Sequence, residues 1–271
     1  MLSIKKGQSN AFMFFQSLYI RSCDVVYVHP SSFTALFPLY TLAIERCNLT
    51  RAPPLHAIKR SLTRLKLANN QIEELNEDYF AGCDKLEYVN WEGNYLKMVP
   101  EFSYIRNIVE VIVLDNNLIR YCGSLCDNVF AKLSKVMLSF NSIFYMNVTE
   151  ILMRWPNIKD INVANNQLMT LSGVTASADG RNSKVWLVAH NNPYCCNGSM
   201  TWMLKGMKDA AEPAVVFGRV KIFMDVIYSM ACYEPEHLQG FPIWKLGNII
   251  YVFRCKLYIF FSVCLMWLGT N

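Results

Sequence analysis

The stretch from Leu62 to Ile72 reads LTRLKLANNQI, apolar at its first, fourth, sixth and eleventh positions and carrying Asn70 at the ninth. The same spacing returns at Leu86, Val89, Trp91, Asn94 and Leu96, and again at Val109, Ile112, Leu114, Asn117 and Ile119. It continues at Leu133, Val136, Leu138, Asn141 and Ile143, and at Ile158, Ile161, Val163, Asn166 and Leu168. A weaker register, with Lys184 first and Ala189 sixth, keeps Leu187, Asn192 and Tyr194. Upstream, Leu39, Leu42, Ile44, Cys47 and Leu49 fit with cysteine in place of the amide, as do Phe15, Leu18, Ile20, Cys23 and Val25. Alternation at the fourth and sixth positions predicts a short strand with those side chains turned inward. A buried polar side chain at the ninth position can satisfy backbone groups where the chain turns.

This pattern, L-x-x-L-x-L-x-x-N/C-x-L, resembles the leucine-rich-repeat family. The resemblance implies an α/β repeat fold, a right-handed horseshoe solenoid whose parallel β-sheet lines the concave side and whose outer side is irregular or briefly helical. Eight units start at residues 15, 39, 62, 86, 109, 133, 158 and 184, and the repeats are placed over residues 12–192. Phe33, Leu36, Phe80 and Cys83 are expected to plug the convex side. No unit can bury its apolar face alone, so each depends on its neighbours.

The two ends are read against that register. Behind Lys5 and Lys6, AFMFFQSLYI could pass for a signal peptide, yet Phe15, Leu18 and Ile20 fall on core positions of a repeat. The expectation is therefore a chain that opens inside a solenoid, as the C-terminal portion of a longer one. At the other end, Asn192-Pro193-Tyr194-Cys195-Cys196 with Met200 and Trp202, then Cys232-Tyr-Glu-Pro235 with Leu238 and Gly240, resembles the C-terminal cysteine cap of extracellular leucine-rich-repeat proteins. The resemblance implies a bond from Cys196, or alternatively Cys195, to Cys232, in a cap over residues 192–243. Gly198 stands where the family usually has its second opening cysteine, which puts a second cap disulfide in doubt. The apolar segment 246–269 carries Arg254 and Lys256 within it and reads either as a membrane-spanning helix anchoring the chain or as a packed tail.

Composition adjusts this picture only a little. The chain has 271 residues, 53% hydrophobic and 17% charged, with a net charge of +5 from scattered residues. No basic block is present, so no nucleic-acid partner is expected. The four histidines are dispersed and accompany no nucleophile, phosphate-loop or zinc pattern, so neither an enzyme, a cofactor nor a metal is expected. Cys122 and Cys126 suggest a local convex-side disulfide or two free thiols. Asn48, Asn147 and Asn197 head N-glycosylation sequons, which matter if the chain is exported.

The third and fifth positions of each unit face the concavity. They gather Tyr88, Val111, Val113, Met137 and, three residues further on, Phe140 into an apolar stripe edged by Arg64, Lys66 and Lys135. Contiguous apolar surface marks interaction sites. The resemblance implies extracellular recognition of a protein ligand, as part of a cell-surface receptor or adhesion protein. A secreted matrix protein and an intracellular repeat scaffold are the alternatives.

Overall fold

A computed structural model describes residues 16–34, 36, 38–171, 185–196, 214–217, 220–223, 229–234, 236 and 239–243. Phe15, the opening half of the cap between Asn197 and Trp202, and the apolar segment 246–269 lie outside these. Each unit contributes one short strand: β1 (Ser17–Arg21), β2 (Thr41–Glu45), β3 (Arg64–Lys66), β4 (Tyr88–Asn90), β5 (Val111–Val113), β6 (Lys135–Met137), β7 (Asp160–Asn162) and β8 (Val185–Val188). They pair parallel in chain order. The register joins equivalent template positions, so Leu42, Leu65, Val89, Ile112, Val136, Ile161 and Leu187 stack in one inward row. All seven are buried. Burying such a leucine or valine contributes roughly 1.5–3 kcal/mol relative to exposure, and the row repeats that gain at every turn. The chain is thus a leucine-rich-repeat solenoid.

The first unit joins this stack through β1, which pairs residue for residue with β2 from Ser17↔Thr41 to Arg21↔Glu45. Leu18 and Ile20 pack against the core, though less completely than their counterparts downstream.

The ninth-position amides form a buried ladder. Asn117 shows the pattern: Nδ2 donates to the carbonyls of Trp91, Leu114 and Asp115, and Oδ1 accepts the N–H of Leu96. Asn70, Asn94, Asn141, Asn166 and Asn192 repeat it, each reaching one carbonyl in the preceding turn and two in its own. A leucine of equal size would leave those carbonyls unpaired in an apolar interior, which is why the template tolerates so little there.

One place before the amide the backbone turns back through the left-handed region. Ser22, Arg46, Asn69, Asn116, Phe140, Asn165 and Asn191 all have φ between 53° and 57°, and Gly93 holds the equivalent place in β4's unit at 66°. Gly93 is also closely approached, and a Cβ there would meet Asn69 Oδ1 at 2.6 Å, so that amide would have to turn aside.

On the outer side the described residues are irregular, with a 3-10 turn at Pro30–Phe33 and, among them, two short helices, α1 (Gly123–Asp127) and α2 (Val148–Arg154). Large rings fill the space behind them. Phe80 stacks on Phe102 at 5.4 Å, and Phe130 meets Trp155 edge-on at 6.3 Å. Phe33, Leu36, Phe80 and Cys83 are all buried. Cys122 and Cys126 are disulfide-bonded across α1, Cα–Cα 5.4 Å.

Beyond β8 the sheet continues in a way the repeat template does not foresee. β9 (Tyr194–Cys195) leaves to pair with β12 (Cys232–Glu234), while β10 (Ala214–Phe217) and β11 (Val220–Phe223) form an antiparallel pair. β11 then adds parallel to β8, giving a ten-stranded sheet. The signal was present in sequence: two β-branched and aromatic runs separated by Gly218-Arg219, a hairpin signature.

Candidate functional site: the open face of the sheet

In-register stacking turns the third and fifth template positions into two rows running across the sheet. The first reads Arg64, Tyr88, Val111, Lys135, Asp160, and the second Lys66, Asn90, Val113, Met137, Asn162. Alternation within each strand sends these side chains away from the core, to the face opposite the buried row.

The basic end of this surface is organised around one ring. Arg64 Cζ lies 5.5 Å and Lys66 Nζ 5.4 Å from the centroid of Tyr88, so the ring sits under two cations. Each such contact contributes about 0.5–1 kcal/mol where water reaches it. It also fixes the position of long side chains that would otherwise sample many rotamers. A second aromatic and cationic pair stands on β1, where Arg21 Cζ lies 5.4 Å from the Tyr19 ring and Arg21 Nε donates to Glu45 Oε2 at 2.7 Å.

The apolar stripe expected beside it is narrower than its sequence suggests. Tyr88, Val111 and Met137 are half-buried, whereas Val113 is only 9% exposed and offers a partner little surface. Thr41 and Ala43, at outward positions of β2, are buried too. Alternation fixes which way a side chain points; the bulk of residues one turn away decides whether water reaches it. Phe140 is not on the strand rows. It lies in the turn after β6, 54% exposed and in the left-handed region at φ 54°. A bulky aromatic rarely adopts that backbone conformation, at a cost of roughly 1–2 kcal/mol. Asparagine or glycine holds the same place in five of the eight units, so Phe140 gives up local stability to present a ring to solvent.

Asp115, unnoticed in sequence, ties this edge together. Its Oδ1 accepts both the backbone N–H of Ser139, at 2.7 Å, and the Ser139 hydroxyl. Burial raises its carboxyl above the ordinary value, opposed by those two bonds and by Lys135.

The cap residues fall as follows. Cys196 is bonded to Cys232, Cα–Cα 5.5 Å, and the Cys196 N–H donates to Glu234 O at 2.8 Å. Cys195 is disulfide-bonded as well, so the glycine at 198 does not deprive the adjacent cysteine of a bond. Of the sequons, Asn48 is exposed, donating to Asp24 Oδ1 and accepting from Gln71. Asn147 is half-buried and caps α2, its Oδ1 accepting the Glu150 N–H. Asn197 lies outside the described residues. Among the described residues no group of three or more His, Cys, Asp or Glu could hold a metal ion, and no helix is long and apolar enough to cross a membrane.

No protein-family profile matches the chain. Over 82 residues, 30% of this chain, it is 34% identical to podocan-like protein 1 of Mus musculus, of which those residues make up 14%. Among solved structures it is similar to a chain of the Toll–Spatzle complex of Drosophila, with a TM-score of 0.66 and 16% identity, over 84% of this chain and 31% of that one. It is similar also to an internalin of Listeria monocytogenes, at a TM-score of 0.50 and 18% identity, over 65% of this chain and 47% of that one. The chain therefore spans well under half the length of the first two. Repeat register, sheet topology, cystine bonds and these likenesses agree: this is a disulfide-bonded protein of leucine-rich-repeat fold.

Proposed function

We propose that the chain is an extracellular protein-recognition module, part of a cell-surface receptor or adhesion protein, and that it takes its partner on the open face of the parallel sheet. The observation that carries this is the surface around Tyr88, where Arg64 and Lys66 are held over the ring beside Val111, Lys135 and Met137. An aromatic ring, adjacent aliphatics and oriented cations on a rigid platform are the composition of an interface centre and its rim. A partner suited to it offers an apolar knob flanked by carboxylates. Phe140 extends the surface over the sheet edge. Val113, being covered, serves as support for its neighbours.

Two further observations support the location. Both the α1 bond and the cap bond join residues of the described chain, and such bonds persist in oxidising compartments. The similarity to a chain of the Toll–Spatzle complex favours a protein as the partner. On the same reading Asn48, exposed in its turn, and Asn147 and Asn197 are glycan acceptors, and segment 246–269 is the membrane anchor.

The test of the site is saturable binding of the labelled chain to intact cells of its source organism. Joint substitution of Val111→Glu and Met137→Glu, with circular dichroism and melting unchanged, is expected to weaken binding roughly 100-fold. Unaltered binding would remove the site.

A further inference from the structure

At its N-terminal end the ninth-position ladder changes chemistry. Six asparagines run from Asn192 back to Asn70, and the next two units carry Cys47 and Cys23 in the same place. Their Sγ atoms stand 3.1 Å apart, inside the roughly 3.5–4.0 Å at which even non-bonded carbon atoms rest. We propose that Cys23 and Cys47 form a disulfide between successive turns of the solenoid, stapling β1 and its turn to the rest of the stack.

Backbone geometry already permits the bond. The two residues hold equivalent places two positions past Arg21↔Glu45, the last paired residues of β1 and β2. Ladder bonding continues alongside, with Ser22 N–H donating to Glu45 O at 3.1 Å and Val25 N–H to Cys47 O at 3.2 Å. Neighbouring strands lie about 4.8 Å apart, within the about 4.4–6.8 Å that a disulfide spans between Cα atoms.

Hydrogen bonding does not oppose it. In every other turn the amide oxygen accepts an N–H two places past the preceding ninth position, as Asn70 Oδ1 does from Leu49. A cysteine at 47 supplies no such acceptor, and the matching N–H, that of Val25, is satisfied by the carbonyls of Cys23 and Cys47 instead. The Cys47 thiol donates to Glu45 O at 3.1 Å, but that carbonyl also accepts Ser22 N–H. Losing the thiol proton therefore leaves it partnered.

The step is a thiol–disulfide exchange. The Cys23 thiolate, half-exposed where Cys47 is buried, attacks a disulfide of an oxidised dithiol or oxidised glutathione and expels one thiol. The Cys47 thiolate then attacks the resulting mixed disulfide at Cys23 Sγ and expels the second. Two protein thiols lose two electrons and two protons, and the oxidant ends as two thiols. The Cys47 hydrogen bond, with desolvation, pushes the Cys23 thiol up to about 11, so this first attack is slow at neutral pH and quickens as pH rises. In taking its oxidant from an exporting compartment the proposal rests on the extracellular reading above, although the geometry does not.

The experiment uses the full chain twice. First, the purified reduced protein is equilibrated in a glutathione redox buffer, free thiols are alkylated under denaturing conditions, and peptides are mapped without reduction. A Cys23–Cys47 cross-link is expected, with Cys83 alkylated. Its formation should raise the melting temperature by roughly 5 °C, a shift lost in Cys23→Ser and retained in Cys83→Ser. Alkylated Cys23 and Cys47 beside an intact Cys196–Cys232 bond would overturn the proposal. Second, the same map is made on protein from its natural source. If all cysteines are free there while the cross-link forms in the buffer, the extracellular reading fails and the inter-turn bond stands.

Discussion

Two kinds of turn position in this chain have opposite energetics, and single substitutions separate them. Asn117 makes four hydrogen bonds in a buried turn. Asn117→Ala would leave three carbonyls and the Leu96 N–H without it, at about 1–3 kcal/mol for each group that finds no water. A loss above about 3 kcal/mol is expected in urea denaturation; a loss below about 1 kcal/mol would mean the ladder is not what closes the turns. Phe140 is the converse. Phe140→Asn places at φ 54° a residue that tolerates the left-handed region, so stability should rise by about 1 kcal/mol. If the ring serves the interface, cell binding should fall in the same variant. A gain in stability with binding intact would make Phe140 mere strain.

These examples also show what was legible in the chain. Inward positions are dictated by a core that every turn shares, so the leucine row and the amide ladder could be read unit by unit. Outward positions answer only to neighbours one turn away, some 23 residues off in sequence, and there reading by template alone overstates Val113 and misses the Asp115–Ser139 tie.

At the scale of elements, strands of three residues cannot hold their register unaided, and the turns between them carry much of the order. The turn after β5 is fastened to that after β6 by Asp115. Its carboxyl is raised chiefly by burial, so the folded state binds that proton more tightly than the unfolded chain does. The stabilising contribution of protonation is then full below the unfolded value and is lost as pH climbs through the raised one. Asp115→Asn keeps an acceptor for Ser139 without the desolvated charge. It is expected to melt higher than the native protein at pH 7, with the advantage shrinking as pH falls below the carboxylate range. An advantage that stays constant down to pH 3 would place its origin elsewhere. On the outer side, Phe102 stacks on Phe80 and is buried, so Phe102→Ala should cost about 3–5 kcal/mol. Helices there are too short to stand alone: brief helix was expected on the outer side but α1 and α2 could not be placed along the chain, whereas the convex plugs were legible residue by residue.

A solenoid has nearest-neighbour contacts in place of a single centre, so damage at one end should stay near that end. The β8 end is closed by several devices at once: β11 pairs with β8, Cys195 N–H donates to Met169 O, and the Cys196–Cys232 bond ties β9 to β12. Tyr194, buried, donates its hydroxyl to Ala189 O and locks the last turn from inside. Replacing Cys196 and Cys232 by serine removes that tie while leaving the amide ladder and the other cysteine pairs untouched. Amide hydrogen exchange should then quicken across Val185–Cys195 and leave Arg64–Asn90 unchanged, because three parallel strands, β5 to β7, lie between. Uniform quickening would show that the chain unfolds as one cooperative body, and no change at β8 would show that side-chain packing and the β11 pairing close the end without that bond. The local outcome is the one the topology favours, and it separates the cap's role in holding the last turn from the recognition surface, whose central residues sit on β3 to β6.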